Sequence, residues 1–285
     1  MKASRAAGGF VLAALLGSPA LAQEPEGAEE ASTNPAPGDS SQDRSLPTSW
    51  QIGTGMSFSN GDYGQASDTK VTSLPFSLRV RHGDWFARAA ISWVSIRGPA
   101  SVIDTGEGGT AETEGPGGLP GTAMQTRSGF GDLALMAGRR VALTDTLNLI
   151  GDVRFKLPTA SEGRRLTTGT TDVTLRARLT QEIGAITLNA GARRKLAGSG
   201  GRVVVRDTWG LTGGASMNLG HGMAVGADYN WQQSSFAGNR PNSNLTGYFS
   251  APLTRRLRLT GFGVAGLSTN SADYTLGTSL TLRID

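Results

Sequence analysis

The stretch Tyr274-Thr275-Leu276-Gly277-Thr278-Ser279-Leu280-Thr281-Leu282-Arg283-Ile284 decides the fold. Tyr274, Leu276, Leu280, Leu282 and Ile284 share one side of an extended chain with Thr278, while Thr275, Ser279, Thr281 and Arg283 take the other with Gly277. Successive side chains of a strand point to opposite faces, so this alternation predicts a strand with one apolar and one polar face. The same pattern recurs upstream. In 172–180, Val173, Leu175, Ala177 and Leu179 oppose Thr174, Arg176 and Arg178. In 147–157, Leu147, Leu149, Val153, Phe155 and Leu157 oppose Asn148, Asp152, Arg154 and Lys156, with Ile150 on the polar face.

Twelve such segments can be placed, near 49–58, 70–81, 85–97, 129–141, 147–157, 171–180, 184–194, 202–219, 223–232, 242–253, 257–267 and 274–284. Their connections alternate in length. His82-Gly83-Asp84, Thr144-Asp145-Thr146, Glu182-Ile183, Gly220-His221-Gly222 and Thr254-Arg255-Arg256 are tight, whereas 59–69, 98–128, 158–170, 195–201, 233–241 and 268–273 are longer. Short turns at one end, long loops at the other and an even strand count predict an all-β fold: a transmembrane antiparallel up-and-down β-barrel of the bacterial outer membrane. A soluble sandwich also alternates with period two but gives no reason for this sorting of loops. In hydrocarbon every backbone N–H and C=O needs a partner, and a closed barrel provides one without leaving an edge. The apolar face then looks toward lipid and the polar face inward.

Trp50, Trp85, Trp93, Trp209, Tyr229, Trp231 and Tyr274 fall on the apolar phase, mostly near strand ends, as interfacial girdles require. Two residues fit less well. Pro75 cannot donate to a ladder, which predicts a bulge or broken pairing in the second strand. Asp207 falls on the apolar phase of the eighth segment, so 202–208 is expected to stand above the membrane.

The regions before the barrel differ in character. Residues 1–22 read as a signal peptide: Lys2 and Arg5, the apolar run Phe10 to Leu16, then Ala20-Leu21-Ala22 as a cleavage site. Residues 23–47 form an acidic linker rich in Pro, Gly, Ala and Ser, with little to bury and hence expected to be disordered. Residues 48–285 form the barrel. The chain has a net charge of +4; residues 1–47 contribute −3, leaving +7 on the remainder. For an exported chain this excess points to the barrel interior rather than to nucleic acid. There is no cysteine, which excludes disulfides, thiolate metal sites and a lipid-modified cysteine anchor; two histidines exclude a His-rich metal site.

Gly129-Phe130-Gly131-Asp132, Lys156-Leu157-Pro158-Thr159 and Thr168-Gly169-Thr170-Thr171-Asp172 occur in the order found in a family of outer-membrane proteins named for the meta-pathway of phenol degradation. The chain resembles that family over roughly 129–194 and more loosely beyond, departing at Ala160, where the family usually has glycine. The resemblance implies a transporter-like barrel passing small compounds, aromatic ones among them.

Catalytic signals are weak. Gly261-Phe262-Gly263-Val264-Ala265-Gly266 matches a dinucleotide fingerprint but lies inside a strand instead of between a strand and a helix. His82 and His221 sit in short turns, away from any lipid-facing serine a phospholipase would use. Asp104, Glu107, Glu112 and Glu114 lie in the 98–128 loop with no calcium-loop spacing, and read as a solvated outer loop. Neither an enzyme nor a cofactor is expected.

The interior remains. Arg79, Arg81, Arg88, Arg154, Lys156, Arg176, Arg178, Arg193, Arg206, Arg258 and Arg283 are expected to point inward against Asp132, Asp152, Asp172 and Asp228. With strands ~4.8 Å apart and tilted about 40°, twelve strands give a backbone radius of ~12 Å and leave a passage of at most about 10 Å. The resulting expectation is a monomeric, passive, porin-like channel selecting small solutes by size and by a basic lining. Its partners would be outer-membrane lipid, small solutes and the barrel-insertion machinery during assembly, with no nucleic acid. The rivals are a structural or surface-interaction barrel with a plugged lumen and, more remotely, an outer-membrane lipase.

Overall fold

The computed structural model describes residues 48–104, 111–113, 124–160, 164–201 and 204–284; the expected signal segment and acidic linker lie outside the described residues. Its strands are β1 (Thr48–Gly61), β2 (Thr69–His82), β3 (Trp85–Gly98), β4 (Val102–Asp104), β5 (Ala111–Thr113), β6 (Gln125–Phe130), β7 (Leu133–Ala142), β8 (Leu147–Leu157), β9 (Asp172–Ile183), β10 (Ile186–Leu196), β11 (Thr208–Gly220), β12 (Met223–Gln232), β13 (Asn242–Pro252), β14 (Leu257–Gly266) and β15 (Tyr274–Ile284). β4 and β5 pair only with each other, in the long loop above β3.

β6 and β7 are two halves of one barrel strand. Both pair with β3, but Trp93 opposes Phe130 whereas Ala90 opposes Ala134. Ile91 and Ser92 therefore face three residues, Gly131, Asp132 and Leu133, which makes a β-bulge. With β6 and β7 joined, twelve antiparallel strands run in sequence order, and β15 closes on β1 from Trp50↔Ile284 to Asn60↔Tyr274. Closure satisfies the ladders of both terminal strands, the condition for standing in lipid.

Eleven of the twelve expected strands match to within a few residues, the fourth beginning somewhat earlier than read; the eighth is corrected. β11 begins at Thr208 rather than 202, because Asp207 leaves the ladder to pair with Arg194 at 2.9 Å and to accept the Ala197 N–H at 2.9 Å. Pro75 breaks pairing without a bulge. The β1–β2 register is uninterrupted in phase but lacks pairs opposite Leu74 and Pro75, whereas Pro75 still pairs with Ser92 on β3. The missing N–H is thus turned toward β1.

The faces sort as alternation requires. Leu175, Leu179, Leu211, Phe249 and Leu276 are exposed on the outside, while Thr174, Thr180, Ser250, Thr260 and Ser279 are buried on the inside. Trp50 and Trp85 stand outward near the short-turn end, with Trp209 and Tyr274 outward near the long-loop end. Long loops of outer-membrane barrels face the exterior, which orients the molecule.

At the exterior end the inside departs from simple alternation. Val71, Val94 and Ile96, on the inner faces of β2 and β3, pack with Tyr63, Val102 and Leu166 from the loops into a small apolar core. Arg127 ties this core together by donating to the carbonyls of Pro99 at 3.1 Å, Val102 at 2.7 Å and Arg165 at 2.6 Å. The Tyr63 hydroxyl bonds Ser59 Oγ at 3.0 Å, and burial pushes its ionisation well above the usual phenol range.

Beside that core, the three motifs that carry the family resemblance meet in one buried ionic cluster. Lys156 Nζ lies 2.8 Å from Asp172 and 3.6 Å from Asp132, and Lys195 Nζ lies 3.3 Å from Asp172. Thr168 accepts from Lys156 at 2.6 Å, Thr170 donates to Asp172 at 2.7 Å, and the Ala160 N–H donates to Asp132 at 3.1 Å. The side chains of this cluster are at most 4% exposed. Among the described residues, two cations thus meet two carboxylates where the bulge, the end of β8 and the start of β9 converge, and they hold residues 167–171 against the wall. Asp172→Asn removes the buried carboxylate that Lys156 and Lys195 share and is expected to cost about 3–5 kcal/mol. The check is a lower thermal unfolding midpoint of the detergent-purified barrel; an unchanged midpoint would contradict this account of the cluster.

Candidate functional site: the barrel lumen

The inward arginines gather on one side of the barrel. One register row runs Arg81↔Phe86↔Gly138↔Asp152↔Arg176↔Arg193↔Gly210↔Gln232 across seven barrel interfaces. Arg79 lies opposite Arg88, and Arg140 and Arg178 flank Ile150 on its two neighbouring strands. Arg154 completes the set on β8. Every one of these strands alternates, so a single inward arginine fixes the phase of the next, two residues on.

Among the described residues the carboxylate in this stretch is Asp152, which accepts from Arg176 Nε at 2.8 Å. Asp132 and Asp172 are inward but committed to the lysine cluster at the rim, together with Lys156. Asp228 is buried on β12 and accepts from Asn189 at 2.9 Å. Arg258 lies across the barrel on β14, donating to Ser250 Oγ and the Gly222 carbonyl, both at 2.9 Å. Arg79 stacks over the Phe86 ring at 5.0 Å. A space of about 390 Å³, open to solvent, is lined by Arg79, Arg81, Arg140, Asp152, Arg176 and Arg178 with Phe86, Met136 and Ile150. A second, of about 350 Å³, continues past Arg193 toward Gly210 and Thr212.

The opposite wall carries Arg258 at its short-turn end and is otherwise hydroxyl and aromatic. β14 lies six strands from β8, diametrically across a twelve-stranded barrel. It carries Phe262 inward, paired with Tyr248 on β13, among the hydroxyls of Thr246, Ser250, Thr260, Thr275 and Ser279. Phe262 and Asp152 stand at equivalent heights, each the same number of residues in from the short turn preceding its strand.

Glycines explain how bulky inward side chains coexist with space. A Cβ on Gly277 would fall 2.3 Å from Phe262 Cζ, on Gly226 2.4 Å from the Tyr248 ring, on Gly138 2.5 Å from Phe86 Cζ, and on Gly210 2.5 Å from Arg193 Nε. Each large side chain lies flat on a glycine of the adjoining strand. The bare wall accepts it, so that the side chain runs along the wall.

Some placements differ from expectation. Arg206 is exposed in the loop before β11, its Nε donating to the Ser234 carbonyl at 2.8 Å, and so leaves the lumen set. Arg283 is exposed near the short-turn mouth. Arg140 and Lys195 were missed by sequence reasoning. Extending the phases of β7 past Gly138 and of β10 past Arg193 would have found both. His82 bonds Thr48 at 2.9 Å at the short-turn end, and His221 occupies the turn after β11. The glycine-rich 261–266 run is strand throughout. Asp104 and Glu112 belong to β4 and β5, while Glu107 and Glu114 lie outside the described residues.

If the glycines hold the passage open, Gly277→Leu should push Phe262 toward the axis and lower single-channel conductance. Adding Phe262→Ala should restore it. Conductance unchanged by the first substitution, in a barrel that still resists unfolding in detergent, would contradict the packing argument.

No protein-family model matches the chain. No curated protein matches it either. Among solved structures, an outer-membrane channel from Pseudomonas putida F1 superposes with a TM-score of 0.60 at 16% identity, over 88% of this chain and 100% of that one. The KdgM porin gives 0.50 at 9% identity, over 80% and 97% of the two chains. The NanC porin gives 0.50 at 8% identity, over 82% and 100%. At these identities the likeness is one of fold, and it coincides with what the strand register and the outward apolar belt establish independently: the chain is a twelve-stranded transmembrane β-barrel of the outer-membrane type.

Proposed function

We propose that this barrel is a passive, diffusion-type channel for small solutes, favouring anions and, among them, those with an apolar or aromatic part. The observation that carries the reading is the two-sided lumen: among the described residues, a wall rich in arginine with Asp152 as its carboxylate faces a wall of hydroxyls and two aromatic rings, with Arg258 at its short-turn end. A low-dielectric wall focuses the field of its charges on the axis and raises the local concentration of anions. Guanidinium forks recognise carboxylate or phosphate with two parallel hydrogen bonds. Several such groups in succession offer replaceable sites, so a solute binds well enough to enter and weakly enough to leave. Phe262 and Tyr248 would contact the apolar part of a solute whose charge is held by Arg176 or Arg178. The channel and porins that share the fold support the general reading. No energy source or chemical step is required.

The apolar core at the exterior end favours a second reading, a barrel whose lumen is closed and whose loops act at the surface. Electrical measurement separates the two. Purified protein in a planar bilayer under a salt gradient should show discrete conductance steps and a reversal potential displaced toward anion selectivity. Replacing Arg154, Arg176 and Arg178 together with Ala should move that potential toward zero or toward cation preference. Unaltered selectivity in the triple variant would overturn the role of the arginines, and absence of conductance from a folded barrel would favour the closed reading.

A further inference from the structure

The outward face of the barrel strands carries four cations among the described residues: Lys70, Arg97, Arg139 and Arg194. Two are neutralised in the same manner. Arg139 lies over the Trp85 ring at 5.3 Å with Asp84 at 3.7 Å. Arg194 lies over the Trp209 ring at 5.2 Å with Asp207 at 2.9 Å. Each is a cation at the membrane boundary given both an aromatic face and a carboxylate.

Lys70 and Arg97 are treated differently. They stand directly opposite one another on β2 and β3 at the exterior end, and both are exposed. Like charges in register on one face of a sheet are destabilising. No ion pair or ring contact relieves them among the described residues. Asp68, the nearest acid along the chain, instead accepts from Asn60 at 3.4 Å. The same outward row continues to Asn60 on β1 and Thr126 on β6.

Their height is informative. Four residues toward the membrane, the same face presents Leu74, Trp93 and Phe130 side by side; between lie Thr72, Ser95 and Ser128. The wall thus passes from apolar and aromatic, through hydroxyl, to cationic. Four residues span ~13 Å of strand, or about 10 Å of height at a tilt near 40°. That carries the two charges from the hydrocarbon edge into the headgroup layer.

We propose that Lys70 and Arg97 form a clamp for a phosphate group on the headgroup of an anionic lipid in the exterior leaflet, with Asn60 and Thr126 as flanking polar contacts. A phosphate between the two side chains turns a like-charge repulsion into two charge-assisted hydrogen-bonded contacts, the guanidinium offering its fork and the ammonium its point charge. The clamp lies on the outer wall and is independent of whether the lumen conducts.

The test uses the purified full chain in detergent, titrated with lipid A bearing two phosphates, with the same lipid after phosphate removal, and with inorganic phosphate, and read by native mass spectrometry and thermal melting. Bisphosphorylated lipid A should bind and raise the melting temperature. Lys70→Ala with Arg97→Ala should weaken that binding by about tenfold or more, as removal of two headgroup-facing charges implies. Arg97→Lys alone should retain most of it. In detergent without lipid the double variant should melt at or above the wild type, because a repulsion has been removed; this also shows that it folds. Equal binding of lipid A by wild type and double variant, or equal binding of the dephosphorylated lipid, would overturn the proposal. So would inorganic phosphate that stabilises as strongly as the lipid, since it would make free phosphate the ligand.

Discussion

Hydrocarbon offers no hydrogen-bond partner to a peptide group, and the rest of this molecule follows from how the chain meets that constraint. Each strand must pair on both sides, so β15 returns to β1 and the sheet has no edge. Once closed, the sheet has a single inside and a single outside. Side chains are then assigned by parity alone, apolar to lipid and polar to the interior. The weak point is β6–β7, where one extra residue enters the ladder at Gly131-Asp132-Leu133. There the chain recovers its bonds through side chains: Asp132 turns inward to the Lys156 cluster, and the Gly131 N–H reaches the Ser92 carbonyl at 2.8 Å.

The interior poses the opposite problem, of where to put bulk. Twelve strands enclose little more than their own side chains, so a filled lumen is the default. Two devices act against filling. Glycines on neighbouring strands let Phe86, Arg193, Tyr248 and Phe262 lie along the wall. The long guanidinium side chains are spread along the wall by partners on it, Arg79 over the Phe86 ring and Arg176 on Asp152. Where filling does occur, at the exterior end of β2 and β3, the residues are Val71, Val94 and Ile96, and the plug is apolar like the core of a soluble protein. The same inner face is therefore polar along most of its length and apolar under the loops.

Parity made much of this legible from residues alone. Alternation in 147–157 and 172–180 located Arg154, Arg176 and Arg178 on the inside, and even the exception, Ile150, is inward and buried. What escaped the reading was long-range. Nothing local in Lys156, Asp172 or Lys195 says that they meet, since the cluster depends on register across three strands and on a loop folding back. Asp207 misled because its parity is apolar while its partner, Arg194, lies on the strand before. The glycines were read as weak points and bends, yet at Gly138, Gly210, Gly226 and Gly277 their role is space for a neighbour, which only the pairing reveals.

The claim beneath the whole account is that one face of each strand meets water and arginine while the next residue meets lipid. The chain contains no cysteine, so single cysteines can be introduced without background. The most direct measurement is the rate of modification by small charged thiol reagents of Leu175→Cys, Arg176→Cys, Ala177→Cys, Arg178→Cys and Leu179→Cys in lipid vesicles. Fast reaction is expected at 176 and 178, faster with a negatively charged reagent than with a positive one, and slow reaction at 175, 177 and 179. Reactivity without alternation along β9, or alternation with no preference for the anionic reagent, would contradict it.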